Sequence, residues 1–192
     1  MNKNLAKRAE IIGCTASGKT TLCKTMQKLG WVPVYEPYEH NPFLTSFFAG
    51  EKCAFELQMC FLLQHFNKIN SKNQTATNIV CDFSFFLDEI YASILLSDRE
   101  LIAYNELLSY IISQINPPDY VIKLTCPNNV IVDRINTRNR SYERNINESF
   151  IKELNLKINN YKTNYQQIQI NSAEIDFFNI DEVYEKIVKK II

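Results

Sequence analysis

The chain has 192 residues, 46% hydrophobic and 12% aromatic, which is enough apolar side chain to bury one full core and too much for a disordered chain. Its 21 Lys and Arg balance 21 Asp and Glu. A dedicated nucleic-acid binder carries a basic surplus that releases counterions from phosphate, so no nucleic-acid partner is expected.

In chain order, Ala9 to Ile12 reads as a short strand ending at Gly13, and Lys19 to Leu29 as a helix closed by Gly30. Trp31 to Tyr35 is a second short strand, broken by Pro33 and stopped by Pro37. Glu51 to Ile69 is a long helix with Phe55, Leu57, Phe61, Leu62 and Phe66 at its apolar positions, and Asn78 to Cys81 is a third, buried strand. Phe83 to Leu96 and Asp98 to Ile115 read as helices, the second with Asp98 as N-cap. After Pro117-Pro118 comes a strand over Tyr120 to Leu124. A helix then runs through Ile131, Val132 and Ile135, followed by a charged, Asn-rich stretch from Thr137 to Asn147. Glu148 to Tyr165 is predicted helical, Gln167 to Ile170 is the last strand, and Asp181 to Ile191 is a closing helix. Strands separated by helices, with no hairpin turn, predict an α/β fold: a doubly wound parallel sheet covered on both faces, with residues 1–192 forming a single domain.

Six cysteines (Cys14, Cys23, Cys53, Cys60, Cys81 and Cys126) form no C-x-x-C, and most sit in apolar runs. This usage predicts reduced thiols and a cytoplasmic protein. No apolar run has the length of a signal-peptide core or a membrane span, so no membrane association is expected. Lys3, Lys7 and Arg8 read as a solvated basic end.

The strongest motif is Gly13-Cys14-Thr15-Ala16-Ser17-Gly18-Lys19-Thr20, a complete G-x-x-x-x-G-K-[ST] between a predicted strand and a predicted helix. Backbone amides of such a loop, with the positive end of the following helix, cradle phosphate oxygens. Lys19 then reaches the β- and γ-phosphates, and the Thr20 hydroxyl helps to hold Mg²⁺. A nucleoside triphosphate is the expected ligand.

Ligands of open α/β sheets gather at the carboxyl ends of the strands. Glu36 ends the second strand, where a carboxylate can take the proton of an attacking hydroxyl; the alternative is an ordinary exposed loop acid. Asp82 ends the third strand, either beside Mg²⁺ or as the N-cap of the helix that follows. Gln58 and His65 share one face of the long helix, with Glu51 and Lys72, and that face is either a solvent stripe or the wall of a pocket. Arg134, Arg138 and Arg140 crowd one short segment, either as a phosphate-binding lid or as a solvated charge run.

Together these residues resemble the deoxynucleoside kinases of the deoxyadenosine/deoxyguanosine/deoxycytidine type. The resemblance runs over nearly the whole chain. It is carried by the P-loop, Glu36-Pro37 with Asn41-Pro42-Phe43-Leu44, Ala54-Phe55-x-Leu57-Gln58 with Phe61-Leu62, Asp82-x-Ser84, Arg134-Ile135-x-x-Arg138-x-Arg140-x-x-Glu143 and Ile175-Asp176-Phe177. It implies a P-loop kinase fold with an arginine-rich helical lid at about 134–147 and ATP with Mg²⁺ as cofactors. Glu36 is then the general base for a nucleoside 5′-hydroxyl, and Gln58 and Asp88 read the base. Asp82 serves Mg²⁺, the three arginines meet the phosphates, and Glu143 meets the sugar 3′-hydroxyl. A homodimer is implied as well.

Three positions depart from the family pattern. Phe83 stands where the family has arginine, Phe47 where it has a sugar-contacting tyrosine, and His65 where it has a base-contacting arginine. These departures on the nucleoside side predict altered preference or reduced activity, and His65 predicts titration near neutrality. The rival readings are a same-fold kinase of another small alcohol and a nucleotide-binding protein with weakened catalysis.

Overall fold

The computed structural model describes residues 6–72, 77–140 and 146–192. Strand β1 (Arg8–Gly13) is buried along its whole length and pairs in parallel with β3 (Ile79–Cys81) on one side and β4 (Tyr120–Thr125) on the other. Strand β2 (Val32–Val34) extends the sheet beyond β3, and β5 (Gln166–Asn171) extends it beyond β4, giving the order β2-β3-β1-β4-β5 with every pairing parallel.

Alternation along the pleat sends neighbouring side chains of one strand to opposite faces. Ile11 and Ile122 face helix α1 (Lys19–Lys28) and helix α8 (Ile180–Lys186), where Leu22, Met26 and Val183 complete a fully buried cluster. Ile12 and Val121 face the other way, toward α4 (Phe85–Leu95), α6 (Asn128–Arg138) and α7 (Glu148–Asn160), and pack with Ile90, Ile131 and Leu154. At the β2–β3 side, α3 (Ala54–Lys72) and α5 (Asp98–Ser113) bury Leu62, Ile69, Tyr104, Leu108 and Ile111 against Val34, Ile79 and Cys81. The sheet is therefore covered on both faces, as the alternation of strands and helices predicts. Among the described residues no helix is long and apolar enough to cross a membrane, and all six cysteines are free thiols.

Several local expectations are corrected. Pro33 does not break β2 but sits inside it: β2 is an edge strand, and the bonds to β3 come from its flanks, with Val32 N–H donating to Asn78 at 2.8 Å and Val34 accepting from Asp82 at 3.2 Å. The missing N–H of Pro33 therefore faces the open edge. Helix α4 begins at Phe85 under the Ser84 hydroxyl, which accepts from Phe86 N–H, so Asp82 is not its N-cap. Helix α5 is capped by Ser97 and not Asp98, with the Glu100 carboxylate accepting from the Ser97 N–H at 2.8 Å in a capping box.

Helix α7 stops at Asn160, five residues short of Tyr165, because the buried Lys123 ammonium takes the carbonyls of Asn159 and Tyr161 at 2.6 and 2.9 Å. The closing helix breaks at Ile187 and resumes as a 3-10 turn, Val188–Lys190. Two short pieces have no counterpart in the sequence reading, a 3-10 turn at Tyr38–His40 and helix α2 (Leu44–Phe48).

Arg8 is not solvated. It lies 6% exposed, donating through Nε to Glu10 at 3.0 Å, while the Ser84 hydroxyl donates to the other Glu10 oxygen at 2.8 Å. Lys7 donates to Tyr120 and to the Ile191 carbonyl, and Lys3 lies outside the described residues.

Candidate active site

The P-loop connects the carboxyl end of β1 to the first turn of α1. Gly13 must be glycine because a Cβ there would lie 2.5 Å from Ser17 Oγ and 3.0 Å from Leu124. Gly18 combines a left-handed φ of 102° with Phe177 ring atoms 2.9 Å from where a Cβ would stand. The loop thus turns sharply, and it is closed by the Ser17 N–H donating to the Cys14 carbonyl at 3.1 Å. Lys19 folds back over it, donating to the carbonyls of Gly13 and Cys14 at 2.9 and 3.2 Å. Burial holds the Lys19 ammonium below the usual lysine range, opposed by the carboxylates of Glu36 and Asp82. An anionic phosphate would relieve that burial cost.

Asp82 joins three elements. One carboxylate oxygen accepts from the Thr20 hydroxyl at 2.7 Å and the other from the Glu36 N–H at 2.7 Å. It is 4% exposed, and burial pushes its carboxyl above the usual range while these hydrogen bonds and Lys19 pull it back. The position of Glu36, set by its own N–H, is therefore tied to the P-loop helix through Asp82.

Two cavities meet at this junction. The first is walled by the P-loop from Thr15 to Thr21 together with Asp82, Arg134 and Arg138. The second is mainly apolar, walled by Phe47, Leu57, Phe61, Leu87 and Tyr91, with Gln58 and Asp88 as polar groups. Thr15, Lys19, Glu36, Tyr38 and Arg140 line both. A P-loop cavity and an aromatic slot thus meet at one lysine, one carboxylate and one arginine.

Gln58 is 4% exposed and faces the apolar cavity, so its side of α3 is a pocket wall and not a solvent stripe. Glu51, placed on the same stripe, precedes the first turn of α3. The loop before α2 is fastened to α3 by Asn41, whose amide donates to the Leu57 carbonyl at 3.1 Å and whose oxygen accepts from Phe43 N–H at 3.1 Å. That brace brings Phe47 over the cavity.

His65 and Phe83 do not line either cavity. They are 0% and 1% exposed and lie behind the wall, with their rings stacked at 4.0 Å and 12°. Both were expected to meet the nucleoside; bulk and burial place them one layer back. His65 Nδ1 is 2.7 Å from Asp88 Oδ2, and Nε2 is 3.5 Å from Glu36 Oε1, an ion-pair distance rather than a formed hydrogen bond. Burial alone would lower the imidazole, but Asp88 first and then Glu36 push it up to about 10. The expected titration near neutrality is thereby corrected. Burial raises Glu36, yet His65, Lys19 and Arg140 outweigh it and hold this carboxyl below the usual range, with 35% of the side chain still in solvent. Burial pushes Asp88 up against the pull of His65.

The arginines lie on and just beyond α6, and they already have partners. Arg134 donates to the Ser172 carbonyl at 2.8 Å and toward Ser17 at 3.4 Å, bridging the β5 exit to the P-loop. Arg138 donates to the Thr15 hydroxyl at 3.1 Å, and the Arg140 guanidinium lies over the Tyr38 ring at 4.5 Å. Glu143 lies outside the described residues. Tyr38 is a site residue missed in the sequence; its one available signal is its position two residues after Glu36, on the 3-10 turn that continues the strand end.

Residues 10–192 match the family model described as deoxynucleoside kinase. Among characterised proteins, the chain is 26% identical over 184 residues to a deoxyguanosine kinase of Bacillus subtilis, covering 93% of this chain and 87% of that one. It is 25% identical to the deoxyadenosine/deoxycytidine kinase of the same organism, over 94% and 89% of the two chains. In fold it is similar to a deoxyadenosine kinase from M. mycoides solved with the products dCMP and a flexible dCDP bound, at a TM-score of 0.85 and 21% identity, covering 96% of this chain and all of that one.

Proposed function

The chain belongs to the deoxynucleoside kinase family, phosphotransferases that convert deoxynucleosides to their monophosphates, and on that premise we propose that it transfers the γ-phosphoryl group of ATP in line to the 5′-hydroxyl of a deoxynucleoside. The observation that carries this reading is the meeting of a phosphate-binding cavity and an aromatic slot at Lys19, Glu36 and Arg140. A base and sugar fit the slot, a triphosphate fits the loop, and the group to be transferred passes between them.

Glu36 takes or orients the proton of the 5′-hydroxyl; its depressed carboxyl keeps it ionised at neutral pH. Lys19 and the P-loop amides neutralise the phosphates, and Arg134, Arg138 and Arg140, on and just beyond α6, stabilise charge on the moving group. Gln58 and Asp88 meet the base edge, Phe47 closes over the sugar, and Glu143 is assigned to the 3′-hydroxyl by family pattern alone. Thr20 and Asp82 are hard oxygen donors 2.7 Å apart, the donor type that Mg²⁺ takes. Thr20 and Asp82 are the residues that would hold the ion. When bound, Mg²⁺ would offset phosphate charge.

Residues 1–192 act as a single domain. A homodimer is supported by the exposed Ile102, Tyr110 and Ile112 on α5, and a reducing cytoplasm by the free thiols. The relatives act on different bases by name, so the test is a panel of deoxynucleosides and ribonucleosides with Mg·ATP, read as 5′-monophosphate. Formation from at least one deoxynucleoside is expected. Binding of Mg·ATP with no nucleoside product would instead place another small alcohol in the slot.

A further inference from the structure

His65 sits between the two carboxylates that the apolar cavity exposes, yet touches neither cavity itself. Its ring is fixed from three sides: Nδ1 is 2.7 Å from Asp88, Phe83 lies flat against one face at 4.0 Å, and Phe61 stands tilted at 5.8 Å. These contacts set the plane of the ring and with it the direction of its second nitrogen. That direction is Glu36 Oε1, 3.5 Å away.

We propose that His65 is a positioning residue for the phosphoryl transfer: anchored on Asp88 and stacked on Phe83, it directs Nε2–H at Glu36 and thereby fixes where that carboxylate meets the acceptor hydroxyl. The inference rests on the reading of Glu36 as the base. A neutral imidazole has one N–H and would present a lone pair to one of its two carboxylates. Both acids are satisfied by the doubly protonated ring, or by a proton held on Asp88 with Nε2–H kept for Glu36, so in either case Nε2 carries the hydrogen; Asp88 from α4 and Glu36 from the end of β2 are the charged groups that face it. Phe83 belongs to the same device, because an apolar ring lies flat against the imidazole without adding a charge, where an arginine would set a second cation against it. The two unusual residues are therefore one coupled solution for holding the base, not two independent losses.

The test is a kinetic cycle on the full chain with Glu36→Gln, His65→Gln and the double variant, measuring kcat and both KM values. Glu36→Gln is expected to lower kcat by about 10²- to 10⁴-fold. His65→Gln should lower kcat by about 10²-fold, the cost of a displaced reacting group, with donor KM unchanged. The double variant should be no slower than Glu36→Gln, since His65 acts through that residue. Losses that multiply, or a His65→Gln enzyme with normal kcat, overturn the proposal. Equal turnover by Glu36→Gln and wild type overturns the base assignment itself, a separate result. Should His65→Gln fail to fold, imidazole nitrogen NMR of the wild type decides. The chain has 2 histidines, so His40→Gln assigns the signals. His65 Nε2 should stay protonated across about pH 6 to 8, the range of ordinary histidine titration; a ring with a bare Nε2 there overturns the proposal.

Discussion

Glu36 and His65 show how a single residue's chemistry is set by what surrounds it. In isolation an imidazole titrates near neutrality, whereas between two carboxylates and inside an apolar stack the charged form wins, and His65 is pushed up to about 10. This has a consequence for stability. Its folded-state value lies above the value of about 6.5 for a free histidine, so its contribution is complete below that pH and is lost as pH rises toward the folded value. Wild type should therefore lose stability between about pH 7 and 10 more steeply than His65→Gln, as read by denaturant unfolding at a series of pH values. The same geometry reverses a natural expectation about Phe83. Restoring the family's arginine there would set a guanidinium against a buried imidazolium at the present 4.0 Å stacking distance, without a water shell to screen them. Phe83→Arg is expected to lower the thermal midpoint and give no gain in kcat/KM on deoxynucleosides. In the His65→Gln background the thermal penalty should shrink. An unchanged melting point in Phe83→Arg would show that the pocket can rearrange around the new charge.

Among the elements, β2 has three residues including a proline, and it survives because its partner bonds come from Val32 and Val34 while Pro33 turns to the open edge. Helix α6 supplies Arg134 and Arg138 to the P-loop cavity and is itself held to the β5 exit through Ser172. Helix α5 touches neither cavity, and its start depends on the Ser97–Glu100 capping box. Ser97→Ala should cost about 1 kcal/mol of stability, the usual value of an N-cap, and leave kcat and both KM values unchanged. A kinetic effect would mean that α5 is coupled to the site. Helix ends were the least legible features. Helix α7 reads as continuous to Tyr165 in a local window, but the ammonium that takes its last carbonyls comes from Lys123, on a strand distant in sequence.

At the scale of the whole molecule, the parallel sheet brings the ends of β1, β2 and β3 together, and the site is their common edge. The sequence alone determined the fold class, because alternating strand and helix periods with no hairpin turns have few other solutions. It located the P-loop too, since G-x-x-x-x-G-K-T is a local device: loop, helix start and lysine lie within eight consecutive residues. It also marked Glu36 and Asp82 as strand-end acids. Only the tertiary structure decided that the Gln58 face of α3 is a cavity wall and not a solvent stripe, because a helix shows which residues share a face and not what that face meets. Likewise it moved His65 and Phe83 from the ligand to the layer behind it, and Arg8 from solvent to a buried pair with Glu10. Each of these depends on contacts between segments far apart in the chain, where burial and opposing charge outweigh any preference that the local sequence carries.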